Sequence, residues 1–208
     1  MPDSSQQYAE LENRLVLLAW LNYLLGYQSN RDLMKDCRNV PEGFGADGYS
    51  YLYHHLIARG DAVKIPAKKL AEYDENIRLH LRRINHNRLE KITLRYFQHL
   101  AALYTEFLLD QLFNAKAQLL IELNAFVDKR NSELLSGKPP YEKFTENDLN
   151  KLAFWMATGS GKTLLLHLNY YQFLHYNRDS LDNILLVTPN KALSDQHIRE
   201  LRDSGIPA

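Results

Sequence analysis

"KLAFWMATGSGKTLLLH", residues 151–167, reads as an apolar strand, a glycine-rich turn carrying a lysine, and an apolar helix. Gly159 and Gly161 allow a tight turn that aims successive backbone N–H groups at one anion. The helix starting there adds the positive end of its dipole. Lys162 can reach the β- and γ-phosphates of a nucleotide, and the Thr163 hydroxyl can enter a Mg²⁺ shell. In the pattern G-x-x-x-x-G-K-[ST] the first position here is Met156, not glycine. The plainer alternative is a strand-to-helix turn with an incidental lysine. Against it, glycine, lysine and threonine all stand where phosphate chemistry needs them.

Working outward, the spacing predicts a strand over 152–157, a helix over 161–176, a second strand over 183–188 ("NILLVTP" begins there) and a helix over 190–202. Strands alternating with helices of this length indicate a parallel sheet. Two strands make a very small one, so the α/β part reads as cut off. Upstream, residues 8–138 read as helical almost throughout. Leu11, Leu15, Leu18, Leu21 and Leu25 recur at helical spacing before Gly26. Asn30 is the expected cap of a short helix, and Pro66 the expected first residue of a longer one. Long helices are expected over 92–114 and 116–130. "SGKPP", 136–140, reads as a linker, and Thr145 with Asp148 as a capped turn. The expected organisation is a helical domain over 1–138 and the start of an α/β P-loop domain over 145–208.

Composition is less informative. The 25 basic and 25 acidic side chains cancel, so charge gives no global argument for nucleic acid or membrane. Cys37 is the one cysteine, which excludes an internal disulfide and a CxxC metal site. "LVLLAWLNYLLGY" is too short to span a bilayer, and "MPDSSQQYAE" has no signal-peptide character. A cytoplasmic location without membrane contact is the expectation. Basic residues cluster over 78–95, with Arg78, Arg82, Arg83, Arg88, Lys91 and Arg95 against Glu90. They form either a DNA-backbone contact or a solvated, internally paired helix face. His54, His55, His80, His86 and His99 have no metal-ligand spacing, and Tyr96, Phe97, Tyr104, Phe107 and Phe113 fit a core better than base stacking.

"MATGSGKT" resembles motif I of superfamily-two (DEAD/DEAH-type) helicases and translocases. The branch is that of the Res subunit of Type III and the R subunit of Type I restriction enzymes, where alanine or methionine often replaces the first glycine. "TPNKALSDQ", residues 188–196 with Pro189 second, resembles motif Ia of the same family. "LRYFQ", 94–98, resembles the segment in which a glutamine reads adenine; a polar residue on a helix surface is the alternative. The resemblance implies an incomplete RecA-like lobe behind the helical domain. It implies ATP and Mg²⁺ as cofactors, held by Ala157, Thr158, Gly159, Ser160, Gly161, Lys162, Thr163 and Gln98. Lys162 and Thr163 would carry the catalytic part and Thr163 the metal. It also implies contact of Thr188, Pro189, Asn190, Lys191 and Gln196 with a nucleic-acid backbone, double-stranded DNA as partner, and a modification methyltransferase as partner subunit.

Hydrolysis in this family needs a later acidic motif, D-E-x-[DH]. The sole "DE", Asp74–Glu75, lies upstream in a helical context, and no D/E-x-K nuclease triplet occurs. The expectation is the N-terminal portion of an ATP-dependent restriction-type helicase, with enzymatic turnover by these residues alone left open. The alternative is a helical interaction module whose P-loop binds nucleotide without hydrolysing it.

Overall fold

The computed structural model describes residues 14–134 and 137–208. Leu11 and the linker's Ser136 lie outside them. Eight α-helices are described: α1 (Val16–Leu24), α2 (Asn30–Cys37), α3 (Tyr51–Ile57), α4 (Ala67–Asn85), α5 (Tyr96–Asn114), α6 (Lys116–Ser132), α7 (Lys162–Tyr176) and α8 (Lys191–Asp203). Single 3₁₀ turns sit at Gly60–Ala62 and Asp148–Asn150. None of the described helices is long and apolar enough to cross a membrane.

Local chemistry sets the boundaries. Gly26, at φ +81°, ends α1, and a Cβ there would strike the Ala62 carbonyl. Asn30 is not the cap of α2; Ser29 is, its hydroxyl accepting the Asp32 N–H at 3.1 Å. A hydroxyl one residue earlier reaches the same orphan donor, so sequence alone separates the two poorly. Pro66 precedes α4 rather than opening it. Thr145 and Asp148 close the expected turn, but Asp148 is the capping side chain: its carboxylate accepts the Thr145 N–H at 2.9 Å and the Thr145 hydroxyl at 2.6 Å, while its own N–H donates to the Thr145 carbonyl at 3.1 Å.

The two expected strands differ from expectation. Among the described residues no ladder forms, and 152–157 and 183–188 run as exposed irregular chain. Trp155 is 83% exposed, Leu185 85% and Val187 80%. An extended segment becomes a strand only by exchanging backbone hydrogen bonds with a neighbour, and parallel strands are stable chiefly when both faces are covered. Neither condition holds here. The described architecture is therefore helical, and the α/β layer is absent from it.

α7 instead packs into the helical bundle against α4 and α5. Leu165 and Leu168 join the core built by Trp20, Leu25, Tyr73, Ile77, Ile84 and Leu103. Polar contacts tie the same seam. Gln172 Nε2 donates to the Ala102 carbonyl at 2.8 Å. The fully buried Glu106 accepts from the Tyr176 hydroxyl at 2.6 Å and from Asn76 Nδ2 at 3.0 Å, with His80 Nε2 3.5 Å from its other oxygen. A buried carboxylate needs such donors, and removing one would leave a costly unpaired group. Side chains from both sides of the linker at 136–140 thus share one core.

Candidate nucleotide-binding site

The glycine-rich loop forms at the N-terminus of α7. Gly159 lies at φ +77° and Gly161 at φ +88°, in the left-handed region that favours glycine. The Ser160 N–H and hydroxyl both donate to the Ala157 carbonyl, at 3.2 and 2.6 Å, closing the turn. A Cβ on Gly159 would meet no atom within 4 Å, so conformation rather than space demands glycine there. Gly161 is the N-cap residue of α7 and offers no capping side chain. The first amides of α7 are therefore left for an external acceptor.

Lys162 curls over this loop, its ammonium donating to the carbonyls of Met156 and Ala157 at 2.9 and 2.8 Å. Moving to phosphate would exchange neutral acceptors for charged ones, which make stronger hydrogen bonds. Ala157, Thr158 and Gly159 are exposed, and Thr163 is half-buried beside Lys162. Positive-φ glycines, a bare helix start, a lysine at the rim and a free hydroxyl form a donor set that fits a Mg²⁺-bound polyphosphate.

Gln98 reaches this loop from the first turn of α5, across a large sequence separation. Its Nε2 donates to the Ser160 carbonyl at 2.8 Å, and its Oε1 accepts the Arg95 N–H at 2.9 Å. It is not a surface residue, being 8% exposed. Asp74, of the one Asp–Glu pair, is buried within the bundle, accepting from the Ser50 N–H at 2.8 Å and meeting His99 Nε2 at 2.9 Å. That carboxylate is committed to packing.

The second expected cluster lies at the start of α8. Asn190 caps that helix, its side chain accepting the Leu193 N–H at 3.0 Å. Thr188 bonds the Asn190 carbonyl at 3.2 Å and the Ser194 hydroxyl. Pro189 and Lys191 are exposed, and Gln196 donates to Glu200 at 2.7 Å. These residues gather on one solvent-facing helix start.

The basic stretch is largely consumed internally. Arg78 pairs with Glu75 at 3.2 Å, Arg83 lies over the Tyr171 ring, and Lys91 caps α4 through the Asn85 and Arg88 carbonyls. Arg88 donates to the Ser204 hydroxyl at 2.7 Å. That hydroxyl lies 2.8 Å from His167 Nδ1, and burial pushes the imidazole down to about 4. Sequence reading missed this Arg88–Ser204–His167 chain, because nothing local marks a contact between such distant residues.

One histidine does approach potential metal ligands. Ligand atoms of Asp36, Cys37 and His55 lie within 4.8 Å of one another. The Tyr27 hydroxyl (2.6 Å) and the Arg59 guanidinium (2.7 Å) donate to the same Asp36 oxygen as His55. The Tyr27 hydrogen bond, ahead of the histidine and arginine charges, holds the Asp36 carboxyl low, while burial raises the Cys37 thiol. A thiol kept protonated beside an arginine is a poor metal ligand, and the cluster acts as a polar staple between α2 and α3.

Residues 91–207 match the family model of the Type III restriction enzyme, res subunit, a stretch that contains α5 to α8 and the glycine-rich loop. No curated protein and no solved structure matches the chain. More than half of the chain lies within the family match, and the chain belongs to the family of the res subunit of Type III restriction enzymes.

Proposed function

We propose that this chain binds ATP·Mg²⁺ through the loop 157–163 and a nucleic-acid backbone through residues 188–196, as part of an ATP-dependent restriction-type DNA helicase or translocase. The observation that carries the reading is the loop itself. Two glycines at positive φ turn it, α7 opens on uncapped amides, and Lys162 and Thr163 stand at its rim. Lys162 would neutralise the β- and γ-phosphates, Thr163 would join the metal shell, and Ala157–Gly161 would supply backbone donors. The exposed start of α8 suits a phosphate backbone, since its Lys191 carries charge and its helix end points outward.

The apolar residues left exposed at 152–155 and 184–187 suit segments meant for a sheet with further strands, in line with the RecA-like lobe the family resemblance implies. Double-stranded DNA, a methyltransferase partner and a cytoplasmic setting belong to the same proposal. Hydrolysis is not assigned to these residues. Asp74 is bound within the bundle and the exposed Glu75 pairs with Arg78 beside it, which favours nucleotide binding without turnover by this stretch alone.

The metal role of Thr163 gives the test. ATP titrated with and without Mg²⁺ should bind the native protein more tightly when the metal is present. Thr163→Ala should retain metal-free affinity and lose most of that enhancement. An unchanged magnesium effect in the variant would overturn the assignment.

A further inference from the structure

Gln98 holds one particular peptide of the cradle. Its Nε2 donates to the Ser160 carbonyl, and a Cβ added to Gly161 would collide with that same nitrogen. Its other amide atom is committed too, because Oε1 accepts the Arg95 N–H at the start of α5. The side chain is thus fixed at both ends in a nearly buried position.

The geometry has a direct consequence for the cradle. In a trans peptide the C=O and the following N–H point in opposite directions. Fixing the Ser160 carbonyl towards α5 therefore turns the Gly161 N–H away from α5. Gly161 is the residue where this matters most, since a glycine can rotate the adjoining peptide at little steric cost. Released from Gln98, the 160–161 peptide could present its carbonyl where an anion needs a donor. A carbonyl in that place would repel phosphate rather than bind it.

We infer that Gln98 is a positioning residue that sets the 160–161 peptide so that the Gly161 N–H serves the polyphosphate, and that it acts on the phosphates rather than on the base. The inference rests on the cradle reading above. It differs from the adenine contact that the family resemblance implies, because a base-reading glutamine needs the very amide that here grips Ser160.

The two roles separate by ligand. ATP, GTP and inorganic tripolyphosphate, each with Mg²⁺, are titrated into the native protein and into Gln98→Met, Gly161→Ala and Lys162→Ala, with folding checked by circular dichroism. Gln98→Met keeps the side chain's length and loses both polar contacts. It should weaken all three ligands by a common factor of about ten, the size of one charge-assisted hydrogen bond. Gly161→Ala, whose Cβ would push the amide aside, should also weaken all three. A loss confined to ATP, with tripolyphosphate unchanged, would overturn the inference in favour of base reading. Undiminished binding by folded Gln98→Met would overturn it outright. If Gln98→Met does not fold, undiminished binding by Gly161→Ala has the same force. Failure of the folded native protein to bind any of the three, or equal binding by Lys162→Ala, would remove the cradle and the inference with it.

Discussion

His167 ends a short buried chain of hydrogen bonds. Arg88 has no acceptor, so the Ser204 hydroxyl accepts from it and meets His167 Nδ1 at 2.8 Å through its proton or its second lone pair. The ring is neutral at pH 7. Burial comes first in lowering its pKa to about 4, and the nearby Arg88 charge adds to it. In the unfolded chain the imidazole titrates at its ordinary value of 6.5. The unfolded state thus takes up a proton below pH 6.5, while the folded state does not until about pH 4. Stability is unaffected above that window and falls as pH drops through it, by roughly 2 kcal/mol at pH 5 from this residue alone. Urea unfolding at pH 7 and pH 5 checks this. His167→Gln should be less stable at pH 7 and should lose less on acidification; an equal loss in both proteins would contradict the assignment.

At the scale of elements, α7 and α8 are held very differently. α7 buries Leu165, His167, Leu168, Gln172 and Tyr176 in the bundle, whereas α8 buries no residue of its own. Its attachment comes from the tail that follows it, through buried Ser204 and Ile206 and a hydrogen bond from the Tyr171 hydroxyl to the Ser204 carbonyl at 2.8 Å. The far end, with Pro189 and Lys191, projects into solvent. An element held at one end opens locally at lower free energy than the core, which suits a segment that must adapt to a partner. If that end contacts a nucleic-acid backbone, Lys191→Ala should weaken binding to duplexes of any sequence alike. The slope of log affinity against log salt should also fall by about 1. Unchanged affinity and slope would exclude Lys191 from the interface.

At the scale of the molecule, legibility followed the range of the physics. Helix periodicity and capping are local, so α4 to α8 were readable within a few residues, and so was the place of the turn at Thr145–Asp148. The glycines of the cradle were readable because positive φ is a demand on a single residue. The strands at 152–157 and 183–188 show strand character in sequence, but a ladder depends on partners that no local pattern contains. The packing of α7 into the helical bundle was equally invisible. It depends on Leu165 and Leu168 meeting Ile77 and Leu103, and on Glu106 finding Tyr176 and Asn76. Gln98 lay between these cases. Its motif was legible, but its grip on Ser160 required the fold.

If 157–163 cradles the phosphates of a nucleotide, equilibrium titration of ATP·Mg²⁺ must distinguish the native protein from Lys162→Ala. Lys162 makes no contact with the core, since its ammonium bonds only the Met156 and Ala157 carbonyls, so its loss should leave the fold intact. Saturable binding by the native protein and at least tenfold weaker binding by the variant are expected on losing a charged hydrogen bond to phosphate. Equal affinity in two folded proteins would contradict the cradle.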